Sequence, residues 1–147
     1  MISIPVHIGV RGKTALPSYA YPGDAGFDLV AAIDKPLTIY PGNRAVIQTG
    51  IKVAIPDGYE LQIRSRSGMT KDYGIIVANS PGTIDSGYRG EIGVIVANID
   101  EFDSFTVQPG MKIAQGVISP IVQAEFIKVD DLGETERGEG GFGSSGL

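Results

Sequence analysis

The sequence contains no cysteine and no tryptophan, and only one histidine, His7. Without cysteine there is no disulfide framework, no thiolate metal site and no thiol nucleophile. A lone histidine has no second histidine or cysteine to share a metal with, so His7 reads as a residue of an N-terminal strand. No apolar run approaches the length of a membrane-spanning helix, and the first residues lack a signal-peptide pattern. We therefore expect a soluble, cytoplasmic protein with no membrane contact. A helical period is nowhere held for three turns, and only Met69 to Gly74 can make a short helical turn. Positive charge is also scarce: 12 Lys and Arg stand against 17 Asp and Glu, a net charge of −5. That balance argues against binding long nucleic acids, which needs a basic surface. It leaves room for a small anion held by a few local donors.

What the chain does have is the punctuation of an all-β protein. Its 147 residues fit one domain, and a domain of this size buries roughly two-thirds of its unfolded surface. Pro-Gly pairs fall at 22–23, 41–42, 81–82 and 109–110, with Pro56-Asp57-Gly58 between them, and each is a turn signal. The intervening runs are short and rich in Val, Ile, Tyr and Thr. Residues 59–64 alternate apolar and polar, and Ile51, Val53 and Ile55 share one face. Residues 91–98 and 113–122 are apolar enough for strands buried on both faces. Many short strands at this spacing predict a sandwich or a barrel. An acidic arm, residues 130–136, leads into a glycine-rich end. We place a β-domain at 1–130 and an arm with a flexible tail at 131–147.

Five segments carry chemistry. Residues 137–147 hold five glycines together with Arg137, Phe142, Ser144 and Ser145. A Gly/Ser tail is by default a flexible terminus, but here it also has a guanidinium for phosphate, a ring for stacking and adjacent hydroxyls. We read a mobile lid over a ligand that is both aromatic and phosphorylated. In Asp24-Ala25-Gly26-Phe27-Asp28, Asp28 either caps a turn or holds the water shell of a magnesium ion bound to substrate phosphates. Arg64-Ser65-Arg66-Ser67-Gly68 is a compact phosphate cradle, with Arg64 and Arg66 placed on one side by the strand period. In residues 78–91 the Pro81-Gly82 turn predicts a hairpin with exposed backbone. Its alternating N–H and C=O groups suit a pyrimidine edge, which a site built to pair polar groups can discriminate strongly. Asp85 beyond it is a candidate general base, and Tyr88 can pack under a sugar. Gln115, between Ala114 and Gly116, can donate to a phosphate or be an ordinary polar strand residue.

Taken in order, these segments resemble the five motifs of the homotrimeric dUTP pyrophosphatases, or dUTPases. The match runs from about Asp24 to the end of the chain and is strongest over 79–90 and 137–146. The resemblance implies a jelly-roll-like β-barrel or sandwich with one short helix, and a homotrimer with shared active sites. The glycine-rich tail of one subunit would reach over a neighbour. It implies a magnesium-dependent diphosphatase that converts dUTP to dUMP and pyrophosphate, keeping uracil out of DNA and supplying dUMP for thymidylate synthesis. By that resemblance Asp28 supports the metal's waters, and Arg66, Ser67, Gly68 and Gln115 hold the phosphates. Asn79, Gly82 and Ile84 read uracil, Asp85 activates water, and Tyr88 leaves no room for a 2′-hydroxyl. Phe142 stacks on the base while Arg137, Gly143, Ser144 and Ser145 grip the terminal phosphates. One departure is Lys112, where the family usually has arginine before Ile-Ala-Gln. Lysine keeps the charge and loses the fork, so a subunit salt bridge at that position would be weaker.

Three other readings compete. A dCTP deaminase on the same fold needs an acid that serves C4 of the base and lacks this hairpin and tail. A non-enzymatic regulator would keep the nucleotide site and act through a protein partner. A structural jelly-roll protein leaves the tail and the Arg-Ser cluster unexplained.

Overall fold

Turn residues and alternation divide the chain into short elements. The computed structural model describes residues 3–144 and residue 146. Among them the strands are β1 His7–Val10, β2 Gly26–Val30, β3 Leu37–Ile39, β4 Arg44–Gln48, β5 Ile51–Ala54, β6 Tyr59–Arg64, β7 Ile75–Val77, β8 Gly82–Ile84, β9 Gly93–Asn98, β10 Phe105–Val107 and β11 Lys112–Pro120. One helix, α1, spans Ser67–Tyr73. It covers the predicted helical turn and begins two residues earlier, and Gly74 ends it in a left-handed conformation. At the Pro41-Gly42 and Pro109-Gly110 turns the glycines take φ of 72° and 76°, which other residues rarely adopt.

The strands form a four-stranded sheet ordered β2-β11-β6-β8, a three-stranded sheet β4-β9-β7, and the pairs β1-β5 and β10-β3, without a closed barrel among the described residues. All the pairings are antiparallel. Leu29, Leu61 and Ile113 from the first large sheet join Ile47, Ile75, Val94 and Val96 from the second in one buried cluster. The core therefore lies between the two sheets, as the jelly-roll-like architecture requires. Burying each such side chain is worth about 1.5–3 kcal/mol. Strand β6 follows its pattern: Leu61 and Ile63 are buried, Glu60 and Gln62 half-buried, Arg64 exposed.

Two local expectations need correction. Strand β9 is fully buried on one face only, through Val94, Val96 and Asn98; Gly93, Ile95 and Ala97 are half-exposed because no further layer of the chain covers them. By contrast, β11 is buried on both faces at Ile113–Ala114 and Gly116–Val117. The hairpin expected at Pro81-Gly82 does not form. Strand β7 pairs with β9 and β8 pairs with β6, so this turn carries the chain from one sheet to the other. The composition of a turn does not specify which strands its flanks will join.

The chain leaves the body after β11. The Ile121 N–H donates to the Gly58 carbonyl at 2.9 Å. Beyond it, among the described residues, no hydrogen bond returns to the body. Val122, Phe126 and Leu132 stand 98%, 95% and 94% exposed. Among the described residues, no helix is long and apolar enough to cross a membrane.

Candidate active site

The phosphate-type residues converge because three neighbouring strands deliver them. Gln115 on β11 lies directly opposite Asp28 on β2 and Arg64 on β6. The chain then leaves β6 through Ser65 and Arg66 into α1. A cavity of about 280 Å³ is lined by Asp28, Arg66, Ser67, Gly68 and Gln115, together with Ala20, Asp24 and Gly26. Asp28 sits between two cations, with Oδ1 3.0 Å from Arg66 Nε and Oδ2 2.7 Å from Lys112 Nζ. Arg66 Nη1 also donates to the Lys112 carbonyl at 3.4 Å, which leaves Nη2 for a ligand. Gln115 Nε2 donates to the Ser65 carbonyl at 2.9 Å, so one of its two amide hydrogens is committed and the other remains. No side chain caps α1, whose N-cap is Arg66, and the first N–H groups of a helix have no acceptor within it. Ser67 and Gly68 thus bring donors to an exposed rim.

Arg64 does not share this site with Arg66. Its guanidinium donates to Gln62 Oε1 at 2.6 and 3.0 Å, along the solvent face of β6. Strand geometry ends at Arg64, so the period-two argument does not extend to residue 66.

The second group of residues lies along the crossing from β7 to β8. Strand β8 is the outer strand of its sheet, so part of its backbone N–H and C=O groups point away from β6. The Asn79 amide lies beside Gly82: a Cβ there would stand 3.2 Å from Asn79 Nδ2 and 3.3 Å from Ile63 Cβ. Asp85 follows Ile84, is exposed, and accepts the Tyr88 N–H on its carbonyl at 3.1 Å. The Tyr88 hydroxyl donates to the Glu91 carbonyl at 3.0 Å. The Glu91 carboxylate is gripped by Arg11, through Nε at 3.1 Å and Nη2 at 3.2 Å, and by the Gly50 N–H at 2.8 Å. The Arg11 hydrogen bond, more than any other contact, holds the Glu91 carboxyl below its ordinary pKa, and the same bond raises that of Arg11. None of Asn79, Gly82, Ile84, Asp85 or Tyr88 lines the phosphate-type cavity.

The third group is the tail. Arg137 Nε donates to the Gly140 carbonyl at 2.9 Å, and Ser144 N–H to the Gly141 carbonyl at 3.0 Å. Phe142 is fully exposed, and Gly143 and Ser144 are exposed as well. Ser145 lies outside the described residues. Within one chain, then, the structure brings together Asp28, Arg66, Ser67, Gly68 and Gln115 around one cavity that neither the reading segment nor the tail lines.

Sequence reasoning did not foresee the contacts that five residues make. Asp24 lines the cavity, and its carboxylate accepts the Tyr21 N–H at 2.9 Å; its place at a Pro-Gly turn hid it among ordinary turn residues. Lys112 pairs with Asp28 of its own chain, and no local signal links residues so far apart. Ser65 accepts the Val77 N–H on Oγ at 2.8 Å and so ties the cradle to β7. Arg11 and Glu91 are 80 residues apart, and neither stands in a pattern that points to the other.

Comparison with known proteins adds an independent line. A family model described as dUTPase matches residues 13–146. The deoxyuridine 5′-triphosphate nucleotidohydrolase of Chlamydia pneumoniae is 57% identical over 132 residues, spanning 89% of this chain and 90% of the relative. Among solved structures, the dUTPase of Staphylococcus bacteriophage 80alpha with dUPNHPP superposes with a TM-score of 0.88 at 31% identity, covering 99% of this chain and 100% of that one. A variant dUTPase of phage phi11 of S. aureus, described with the coordination of a structural Mg(II) ion, superposes with a TM-score of 0.78 at 25% identity, covering 88% of this chain and 99% of that one.

Proposed function

The chain belongs to the dUTPase family, and from that premise we propose that it hydrolyses dUTP to dUMP and pyrophosphate, with the β2, β11 and α1 cavity as its phosphate subsite. The observation that carries the reading is the convergence of Arg66, Ser67, Gly68 and Gln115 on one cavity beside Asp28. Arg66 is held by Nε and Nη1 against its own chain, so its remaining donors meet a phosphate without reorganisation. Asn79 and the outer edge of β8 at Gly82 and Ile84 read the uracil edge. The Tyr88 ring packs under the deoxyribose and excludes a 2′-hydroxyl. Asp85 takes a proton from water, and the oxygen attacks the α-phosphorus. The bond from that phosphorus to the bridging oxygen breaks, and pyrophosphate departs.

The cavity lining contains two carboxylates, Asp24 and Asp28, and one guanidinium, Arg66. Such a lining does not by itself balance the charge of a triphosphate. Its donors are carboxylate oxygens, the hard ligands that suit magnesium. Both Asp28 oxygens face cations of the chain, which favours contact with the ion through water. Among the described residues no three His, Cys, Asp or Glu side chains cluster, which fits an ion whose direct ligands are phosphates and waters. When bound, magnesium offsets charge on the triphosphate and orients it.

Neither the reading segment nor the tail lines the cavity of its own chain, which supports an active site shared in a homotrimer. The exposed Val122, Phe126 and Leu132 beyond β11 supply apolar surface for a neighbour. In that assembly the β-domain of residues 1–130 supplies the scaffold, and residues 131–147 carry Arg137, Phe142, Gly143, Ser144 and Ser145 over another subunit's site. Pyrophosphate release measured side by side with dUTP, dCTP, dTTP and UTP in the presence of magnesium tests the proposal. We expect release from dUTP alone; equal release from dCTP refutes it.

A further inference from the structure

The loop that carries Asp85 and Tyr88 is fastened to the scaffold at its far end, by the backbone of Ile92, which bonds to Ile51 and Thr49, and by the side chain of Glu91; neither residue is among those that meet the nucleotide. Glu91 closes this loop. Its carboxylate receives both arms of the Arg11 fork and the Gly50 N–H, while Arg11 Nη2 also donates to the Ala32 carbonyl at 2.9 Å. Arg11 is itself held by its N–H, which donates to the Gly50 carbonyl at 2.7 Å. The side chains are 53% and 21% exposed, and an isolated pair at such a surface contributes little stability. This pair, however, is wired to Tyr88. The Tyr88 hydroxyl rests on the Glu91 carbonyl, and the ring folds back over Gly90. A Cβ at Gly90 would overlap the ring, standing 2.9 Å from Cε2 and closer still to the phenolic end. The ring is 44% exposed, so its hold comes from Gly90 beneath it and the Glu91 carbonyl at its hydroxyl rather than from a packed core.

We propose that Arg11 and Glu91 are positioning residues that set the height of the Tyr88 ring and thereby the strictness with which the site rejects a ribose. The inference rests on the reading above in which Tyr88 faces the sugar. Releasing the Glu91 carboxylate lets residues 88–91 shift, the ring withdraws, and space opens for a 2′-hydroxyl. Recognition of the base is separate, because β8 is held by its own pairing with β6.

The test uses the full chain with Glu91→Gln, Arg11→Met, Arg11→Lys and Tyr88→Ala, comparing kcat and KM for dUTP and UTP with dCTP as the control. For Glu91→Gln and Arg11→Met we expect the preference for dUTP over UTP, taken as a ratio of kcat/KM, to fall about tenfold through KM. Rejection of dCTP stays unchanged, and Arg11→Lys recovers part of the loss. Should Glu91→Gln fold poorly, Arg11→Met, at a half-exposed side chain, carries the test alone. A preference held within about twofold of the parent in these variants, while Tyr88→Ala lowers it, overturns the positioning role and leaves the pair a structural contact. A preference unchanged in Tyr88→Ala removes the premise that this ring faces the sugar, and the inference falls with it.

Discussion

A single carboxylate illustrates how little separates a structural from a chemical residue here. Asp28 is bonded to Arg66 and Lys112, so its charge is used within the chain before any ligand arrives. Asp85 has the opposite surroundings: it is exposed, with no cation bonded to its carboxylate among the described residues. A group placed this way can accept a proton from water. Asp85→Asn keeps the shape and removes the basicity. We expect nucleotide binding within about threefold of the parent and turnover lowered by about 10²–10⁴, measured by calorimetric titration with a non-hydrolysable analogue and by pyrophosphate release.

At the scale of elements, the site depends on how strands are joined rather than on any one strand. Ser65 sits where β6 gives way to α1, and it serves two neighbours at once. Its hydroxyl accepts the Val77 N–H of β7, and its carbonyl accepts Gln115 Nε2 of β11. Ser65→Ala leaves the carbonyl in place and removes the acceptor for a backbone N–H of a buried residue, a change of about 1–3 kcal/mol. We expect the unfolding free energy in urea lowered by that amount and a raised KM for dUTP with kcat little altered, because α1 loses its anchor while Asp85 is untouched. Equilibrium unfolding and initial-rate kinetics check the two effects.

For the whole molecule, the proposed reading has the chain complete its site only with a neighbour, because neither the reading segment nor the tail lines the phosphate-type cavity of its own chain. The described part of the tail makes its hydrogen bonds locally, and ordering it over a ligand costs about 1 kcal/mol or more per residue. In the proposed closure, only a ligand rich in contacts, such as a full triphosphate, would offset that cost, and closure would select the triphosphate over its product. Ending the chain after Glu136 removes Arg137 and Phe142 but retains the body and the apolar arm. We expect the same assembly and nearly the same unfolding temperature as the full chain, with kcat/KM for dUTP lowered at least about 10²-fold. Light scattering, thermal denaturation and kinetics report the three quantities.

Local chemistry made much of this legible in one dimension. The alternation of residues 59–64 is the burial pattern of β6, the turn glycines adopt the dihedrals their neighbours imply, and Arg66-Ser67-Gly68 lies where a strand ends and helix α1 begins. These follow from steric and hydrophobic preferences that act over a few residues. Tertiary structure alone decided that the flanks of Pro81-Gly82 enter different sheets, that Lys112 faces Asp28, and that Arg11 holds Glu91. Each of these joins residues whose separation along the chain carries no periodic signal. Such contacts exist only once two sheets have closed over a common core and fixed the distance between their edges.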